Sequence, residues 1–175
     1  MMHLQFCAIT NTKEYYSCNR NMFIKCPTVF KVQVNGCEAS QSWDSLKLRT
    51  QTVSKIIDGD HLVINLAKEH CEEWFGKKLT DEFLENVYDS ALEGDTLEVV
   101  LAKNTQGQVL TRFYNAHKEL VEPETITGPY DVIVDLHGIN FLRKAYSPVW
   151  RILQVRERPK PVPEVPEEYL FEDDD

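Results

Sequence analysis

Apolar and polar residues alternate along several short stretches of the chain. In "FKVQV" (residues 30–34), Phe30, Val32 and Val34 alternate with polar residues, and in "SLKLR" (45–49) two leucines alternate with basic residues. This period of two is typical of a strand that buries one face. Similar β-rich stretches occur at 61–65, 96–102, 108–114, 130–136 and 149–156. The pattern predicts roughly seven to nine short strands, which is typical of a barrel or sandwich.

One segment shows a clear helical period. In "LTDEFLENVYDSALEGD" (79–95), Thr80 is a suitable N-cap, the apolar residues share one face, and Gly94 is a suitable end. The preceding "NLAKEHCEEWFGKK" (65–78) predicts a shorter helix that stops at Gly76. A β domain interrupted by helix near its middle matches the plan of an OB-fold. We therefore expect a mainly β fold, an OB-like antiparallel barrel that is closed or partly open, with an inserted helical segment.

The C-terminal segment differs in composition from the rest of the chain. Residues 159–175, "PKPVPEVPEEYLFEDDD", contain four prolines, and this density favours an extended linker that cannot join a sheet interior. They also contain seven acidic residues and one lysine, so −6 of the net charge of −9 lies in this segment. We expect one domain, residues 1–158, followed by a disordered Pro-rich acidic tail, residues 159–175.

The bulk properties favour an intracellular protein. No stretch approaches the length of a membrane span, and "MMHLQFCAIT" lacks the basic flank and long apolar run of a signal peptide. The body carries a charge of only −3, which is compatible with a local basic groove. The cysteines contain no C-x-x-C spacing, so we expect free thiols in a reducing compartment, the cytoplasm or nucleus. The five are Cys7, Cys18, Cys26, Cys37 and Cys71.

No catalytic constellation is recognisable in the sequence. The phosphate-binding patterns G-x-x-x-x-G-K-S/T and G-x-G-x-x-G are both absent. "IDGDH" (57–61) offers two carboxylates and a histidine, but Asp-Gly-Asp between strands is ordinary turn chemistry. Asp135 and His137 lie two residues apart, hence on one face of a strand, without a nucleophile motif nearby. We expect no catalysis, no cofactor and no bound metal, with a metal-dependent nuclease at these two sites as an open alternative.

Aromatic residues next to positive charge form the most informative pattern. "TRFYNAHK" (111–118) and "FLRKAYSPVWR" (141–151) both interleave aromatic and basic residues, and Trp43 shortly precedes two basic residues. Single-stranded nucleic acids are held by bases stacked on aromatic rings and by phosphates neutralised by Arg and Lys. For a single aromatic residue, a place in the core is as compatible with the pattern as a ligand contact. The candidate contact residues are Trp43, Lys47, Arg49, Arg112, Tyr114, Arg143, Lys144 and Tyr146.

Two segments resemble a known family. In "YDVIVDLHGINFLRKAYSPVWRILQVR" (130–156), a hydrophobic strand runs into Gly-Ile-x-Phe, and a loop with a tyrosine leads to a final strand W-x-x-x-Q-V. This is similar to the closing strands of the OB-fold single-stranded-DNA-binding proteins of large DNA viruses and phages. "CEEWFGKKLTDEFLENVY" (71–88) resembles a central Trp-Phe-Gly-Lys-Lys stretch and helix of the same proteins. The residues of the first match are Gly138, Ile139, Phe141, Tyr146, Trp150, Gln154 and Val155.

The resemblance covers roughly residues 22–156 and implies single-stranded DNA binding in replication, recombination or repair. It also implies a role for the tail, because many such proteins use an acidic C-terminal tail to compete with DNA and to recruit replication or recombination proteins. By this analogy Tyr169, Leu170 and Phe171 are the candidate partner-binding residues. They depart from the usual arrangement because they precede the terminal acids. A viral protein of this kind would act in the cytoplasm or nucleus of an infected cell.

A protein of another class is also compatible with the sequence. A non-enzymatic protein-interaction or virion structural module with a solubilising acidic tail is favoured by the acidic body and by the lack of a long basic stripe. The sequence leaves open the choice between DNA and RNA, any sequence preference and the oligomeric state.

Overall fold

Strands account for most of the regular secondary structure in the computed structural model, which describes residues 22–159, 165 and 168–174. The strands of this part are β1 Met22–Lys25, β2 Lys31–Ala39, β3 Ser45–Lys47, β4 Leu92–Glu93, β5 Thr96–Glu98, β6 Val100–Leu101, β7 Arg112–Tyr114, β8 Leu120–Val121, β9 Tyr130–Phe141 and β10 Tyr146–Glu157. The α-helices are α1 Thr50–Glu69, α2 Cys71–Phe75 and α3 Asp81–Asn86. Cys7, Cys18 and three of the tail prolines lie outside the described residues, whereas Cys26, Cys37 and Cys71 are free thiols.

The described strands form one mixed sheet that is not closed. Its order is β4-β5-β3-β2-β9-β10-β7-β8, with β1 paired to β9 and β6 paired to β10 beside this path. Most pairs are antiparallel, but β6 and β7 run parallel to β10. The prediction of a mainly β fold is confirmed. The expectation of purely antiparallel pairing is wrong, because β6 and β7 reach β10 through the long connection that contains β8 and β9, not through a tight turn.

The long hairpin of β9 and β10 provides the centre of the sheet. Each strand has twelve residues, and their alternate side chains point into the core. Val134 of β9, Ile152 of β10 and Val34 of β2 are fully buried, and α1 adds Ile56 and Val63 to the same cluster. Burial of apolar surface between the sheet and α1 is therefore the main stabilising contribution in this part of the chain.

Helix α1 replaces the strand that the pattern predicts at residues 61–65. Its buried residues include Thr52, Ile56, Val63 and Leu66, which follow the spacing of a helix with one buried stripe. The β-branched residues within 61–65 favour a strand locally. Packing of the stripe against the sheet overrides this preference. The supposed turn at 57–61 is likewise helix.

Helix α3 is much shorter than the predicted helix of residues 79–95. Its N-terminus is as expected, since the backbone N–H of Phe83 donates to Oγ1 of Thr80 at 3.1 Å. The helix stops at Asn86, and Gly94 instead lies with a left-handed backbone in the two-residue turn between β4 and β5. Of the shorter helix predicted at 65–78, the end at Gly76 is confirmed, because α2 ends there in the left-handed conformation. Residues 65–69 belong instead to α1.

The described tail residues, 165 and 168–174, belong to no helix or strand and are exposed. Across the described residues, no helix combines the length and apolar character that a membrane crossing requires.

Candidate functional site

A continuous groove follows the C-terminal end of β10. It consists of three adjoining pockets of about 370, 450 and 640 Å³. The first and second share Glu157 and Pro159, and the second and third share Arg49 and Gly128. We call this surface the β10 groove. Its charged lining residues are Glu38, Lys47, Arg49, Lys118, Asp131, Arg156, Glu157 and Arg158.

The floor of the groove is the outer face of the sheet, and strand register decides which side chains meet there. Ile133 of β9 lies opposite Gln33 of β2 on one side and Gln154 of β10 on the other. Gln154 is in turn opposite Arg112 of β7. Arg156 lies between Asp131 and Tyr114 in the neighbouring row. Because alternate residues point to opposite faces, these side chains are displayed on the outer face while Val132, Val155 and Phe113 enter the core.

Asp131 organises the positive charge at the centre of the groove. Its side chain is 6% exposed, and it pairs with Nε of Arg156 at 2.8 Å and with Nε of Arg158 at 3.4 Å. It also accepts the backbone N–H of Gly36 at 3.0 Å. A nearly buried carboxylate that holds two guanidinium groups fixes their positions and cancels part of their charge.

Three other basic side chains in the groove are not paired with a carboxylate in the described part of the chain. Within the described part of the chain, Lys47, Arg49 and Lys118 form no salt bridge. All three are exposed. The lining as a whole has five basic and three acidic residues, so the groove is locally positive although the chain is acidic.

The structure brings together four of the residues that the sequence marks as contacts. Lys47, Arg49 and Tyr114 line the β10 groove. Arg112 adjoins it, because it is exposed and lies opposite the lining residue Gln154. Tyr114 is half-buried, so part of this residue is accessible at the surface.

Trp43 lies behind the groove. Its indole packs against Phe113 and Tyr130 with ring centroids 5.1 and 4.9 Å apart, and it is half-buried. Its φ is 60°, in the left-handed region that is uncommon for an aromatic residue. The packing of the ring supports this conformation. Trp43 therefore packs against Tyr130, which lines the groove.

Arg143 and Lys144 are exposed in the turn between β9 and β10, at the opposite end of the hairpin from Arg156. Thirteen positions separate Arg143 from Arg156, which corresponds to about 40 Å along an extended strand. The structure therefore does not bring these two cations to the β10 groove.

Tyr146 lies in the core, which corrects its prediction as a nucleic-acid contact. The side chain is fully buried, and its hydroxyl donates to the carbonyl of Leu84 at 2.8 Å. Its ring packs against Phe75 and Tyr88. A base has no access to a ring in this position. The alternation of the last strand places Tyr146 on the inner face together with Trp150 and Ile152.

The sequence misses Arg156, Arg158, Gln33 and Gln154 as parts of the site. The alternation in "LQVR" shows that Gln154 and Arg156 share a face. Only the strand register, however, places that face beside β2 and β7.

The acidic residues of 57–61 do not form a metal site. No three His, Cys, Asp or Glu side chains among the described residues are grouped as a metal ion would require. Asp60 is buried in α1, where Ser90 Oγ donates to its Oδ2 at 2.7 Å and the hydroxyl of Tyr88 donates to its Oδ1. Asp58 is exposed. Asp60 thus joins α1 to the segment after α3.

Burial raises the pKa of Asp60 above its usual range, and the two hydroxyl donors oppose the shift. A carboxyl group with a raised folded-state pKa contributes stability at low pH that is lost as the pH rises through that pKa. We expect Asp60→Asn, which cannot titrate, to gain stability relative to the wild type as the pH rises from about 4 to 7. Urea unfolding at several pH values measures the difference.

Removing the side-chain acceptor at position 60 altogether should lower the free energy of unfolding more than Asp60→Asn does. Asp60→Ala leaves the hydroxyls of Tyr88 and Ser90 without their acceptor, at roughly 1–3 kcal/mol for each unsatisfied group. Asp58→Ala, two residues away on the exposed side of α1, is the control and should change the free energy of unfolding by less than about 0.5 kcal/mol. Equal effects of the two substitutions would contradict this role of Asp60.

Asp135 and His137 do not act as a pair. Arg151 engages both oxygens of Asp135, at 2.7 and 3.1 Å. Nδ1 of His137 is buried and has no hydrogen-bond partner in the described part of the chain. Burial lowers the pKa of His137, and the charge of Arg151 lowers it further. The neutral ring, which also packs against Phe23, is therefore favoured at this position.

The fold and the site define a mainly β domain with a positively charged groove on the outer face of its sheet. Over residues 31–173 the chain matches the model of a family of unknown function, DUF5871, and it belongs to that family. The match includes most of the acidic tail and all of the sheet except β1. No curated protein and no solved structure matches the chain.

Proposed function

We propose that the chain is a non-enzymatic single-stranded-DNA-binding protein that acts in replication, recombination or repair. The observation that carries the proposal is the β10 groove, which Lys47, Arg49 and Lys118 line without a salt bridge among the described residues, and in which Lys118 shares a pocket with Tyr114. Cations that track a phosphate backbone, with an aromatic ring on which a base stacks, are the two parts that sequence-independent binding of single strands requires.

An OB-like, partly open barrel is the fold that we propose for this domain. In its support, β2 pairs with β3, β3 with β5, β6 with β10, β10 with β9, and β9 again with β2. Only Val99 separates β5 from β6, so these two short strands together count as one strand position. With β2, β3, β9 and β10 they make five positions that follow one another around a circuit, as in a small Greek-key barrel. The helices lie between the second and third positions in chain order.

The tail is proposed to compete with DNA. Pro159 lines the groove, so the acidic tail begins at the basic surface itself. A tethered polyanion has a high effective concentration at a nearby basic site. When DNA displaces the tail, Tyr169, Leu170 and Phe171 are available to partner proteins. These three side chains are exposed, as recruitment requires.

Fluorescence anisotropy of a labelled mixed-sequence single-stranded oligonucleotide tests the proposal. We expect binding by the full chain that weakens with salt, and binding several-fold tighter by a form that ends at Pro159, because the tail no longer competes. Arg49→Gln combined with Arg112→Gln should reduce the slope of log affinity against log salt by about 0.7 for each lost phosphate contact.

Arg143→Gln combined with Lys144→Gln is the matched control, since it removes the same charge at the far end of the hairpin. We expect this pair to leave the salt slope unchanged. A reduced slope for the control pair alone would move the interface away from the β10 groove. The absence of binding by either form of the chain at about 50 mM salt would overturn the proposed function.

A further inference from the structure

Two glutamine side chains flank an apolar residue on the floor of the β10 groove. Gln33 and Gln154 lie on either side of Ile133 in the strand register, and all three line the pocket of about 370 Å³. Neighbouring strands are about 4.8 Å apart, so the two glutamine Cα atoms are about 10 Å apart across Ile133. Both glutamines are exposed, and Ile133 is partly exposed between them.

Both carboxamides keep hydrogen-bonding capacity for a ligand. Gln33 donates from Nε2 to Oδ1 of Asn35 at 2.9 Å, which leaves its oxygen and its second N–H. The side chain of Gln154 forms no hydrogen bond within the described part of the chain, whereas its backbone is paired in the sheet. Each side chain can therefore present a donor next to an acceptor. The adjacent charged group, Arg156, is engaged by Asp131 and is held beside the pocket.

This arrangement fits a planar base that lies on Ile133 with its edges toward the two amides. Adenine carries its amino group between two ring acceptors, so two adjacent edges each offer a donor beside an acceptor. A glutamine amide can form a bidentate pair with such an edge. Thymine places a methyl group beside its O4, and so lacks the second edge. Guanine offers a donor beside an acceptor at N1 and O6, but its N7 and O6 edge presents two acceptors, which a single carboxamide cannot match. Cytosine has one such edge, at N4 and N3, and a C–H group on the other side of its amino group.

We propose that this pocket selects adenine among the bases of a bound single strand, with Gln33 and Gln154 as the specificity-determining residues. This inference rests on the proposed function and adds a base preference to a site that otherwise contacts phosphates and stacks bases. The affinity for adenine-rich strands then comes from the pocket, and the salt dependence comes from the cations around it.

Binding of labelled dA12, dT12 and dC12 to the full chain, measured by anisotropy at one salt concentration, tests the inference. We expect the dissociation constant for dA12 to be about fivefold or more below that for dT12. Gln154→Leu and Gln33→Leu should each reduce this preference, and the double variant should abolish it, while the salt slope stays unchanged. Gln106→Leu, at the exposed tip of the loop after β6, is the control and should keep the preference.

The two levels of the proposal fail in different ways. Salt-dependent binding with equal dissociation constants for the three oligonucleotides would overturn the adenine pocket and leave the proposed function standing. A preference for dA12 that survives the double substitution would also overturn the assignment to these glutamines. No binding to any oligonucleotide would overturn the proposed function, and the adenine inference with it.

Discussion

Gly59→Leu is expected to lower the free energy of unfolding by at least about 3 kcal/mol. A Cβ atom at Gly59 would lie 2.6 Å from two ring carbons of Trp150 and 3.1 Å from a ring carbon of Phe30. Trp150 is 1% exposed and belongs to the central strand β10, so its ring cannot move into solvent. Overpacking by a single small group already costs about 1–3 kcal/mol, and leucine adds three further carbons.

Gly59→Ala separates this clash from helix propensity. Alanine favours a helix by about 1 kcal/mol relative to glycine. At a helix position without neighbouring side chains, the substitution would therefore stabilise the protein. At Gly59 we expect net destabilisation, because the contact with Trp150 outweighs the gain. Urea unfolding followed by circular dichroism measures both variants.

An exposed position on the same helix provides the control for Gly59. Asn65→Ala should leave stability unchanged or raise it slightly, since Asn65 is exposed on α1. Trp150→Phe should partly rescue Gly59→Ala, because the smaller ring leaves room for the new methyl group. A stabilised Gly59→Ala variant would contradict the close approach of α1 to β10.

Tyr146→Ala is expected to cost about 3–5 kcal/mol of stability, as for other large aromatic residues removed from a core. Its ring packs edge-on against Phe75 at 5.6 Å between centroids, and it also contacts Phe141 and Tyr88. Tyr146→Phe keeps this packing and removes the hydroxyl that donates to Leu84. We expect Tyr146→Phe to lower the free energy of unfolding by about 0.5–1.5 kcal/mol. Guanidinium unfolding distinguishes the two magnitudes.

The same variants decide between a structural role and a DNA contact for Tyr146. In the folded Tyr146→Phe variant, the affinity for single-stranded DNA and its salt dependence should equal those of the wild type. Arg143→Ala, three residues earlier and exposed, is the control for stability and should leave the unfolding midpoint unchanged. Weaker DNA binding by Tyr146→Phe at wild-type stability would place this ring at the interface and contradict its burial.

The tail links the groove to partner proteins in the proposed function. The tail begins next to the groove at Pro159, while Tyr169, Leu170 and Phe171 lie farther along in exposed positions. A polyanionic segment and an apolar segment on one tail can thus respond to the same event, the arrival of DNA.

Part of the site could be predicted from sequence because its chemistry is local. Basic and aromatic residues next to each other mark Lys47, Arg49, Arg112 and Tyr114, and all four lie at or beside the β10 groove. The same reasoning failed for Tyr146, because a pattern of period two shows that two faces exist and does not show which face meets solvent. It could not identify Gln33 and Gln154 as neighbours, because their distance depends on strand register.

What the sequence by itself determined was the mainly β character of the fold and the position of several strands and helix ends. Alternation, glycine and proline are local signals, and they correctly marked β2, β9, β10, the cap of α3 and the end of α2. Only the tertiary structure decided that residues 61–65 are helical and that β6 and β7 run parallel to β10. The physical reason is that burial against distant segments outweighs local preferences of less than about 1 kcal/mol per residue.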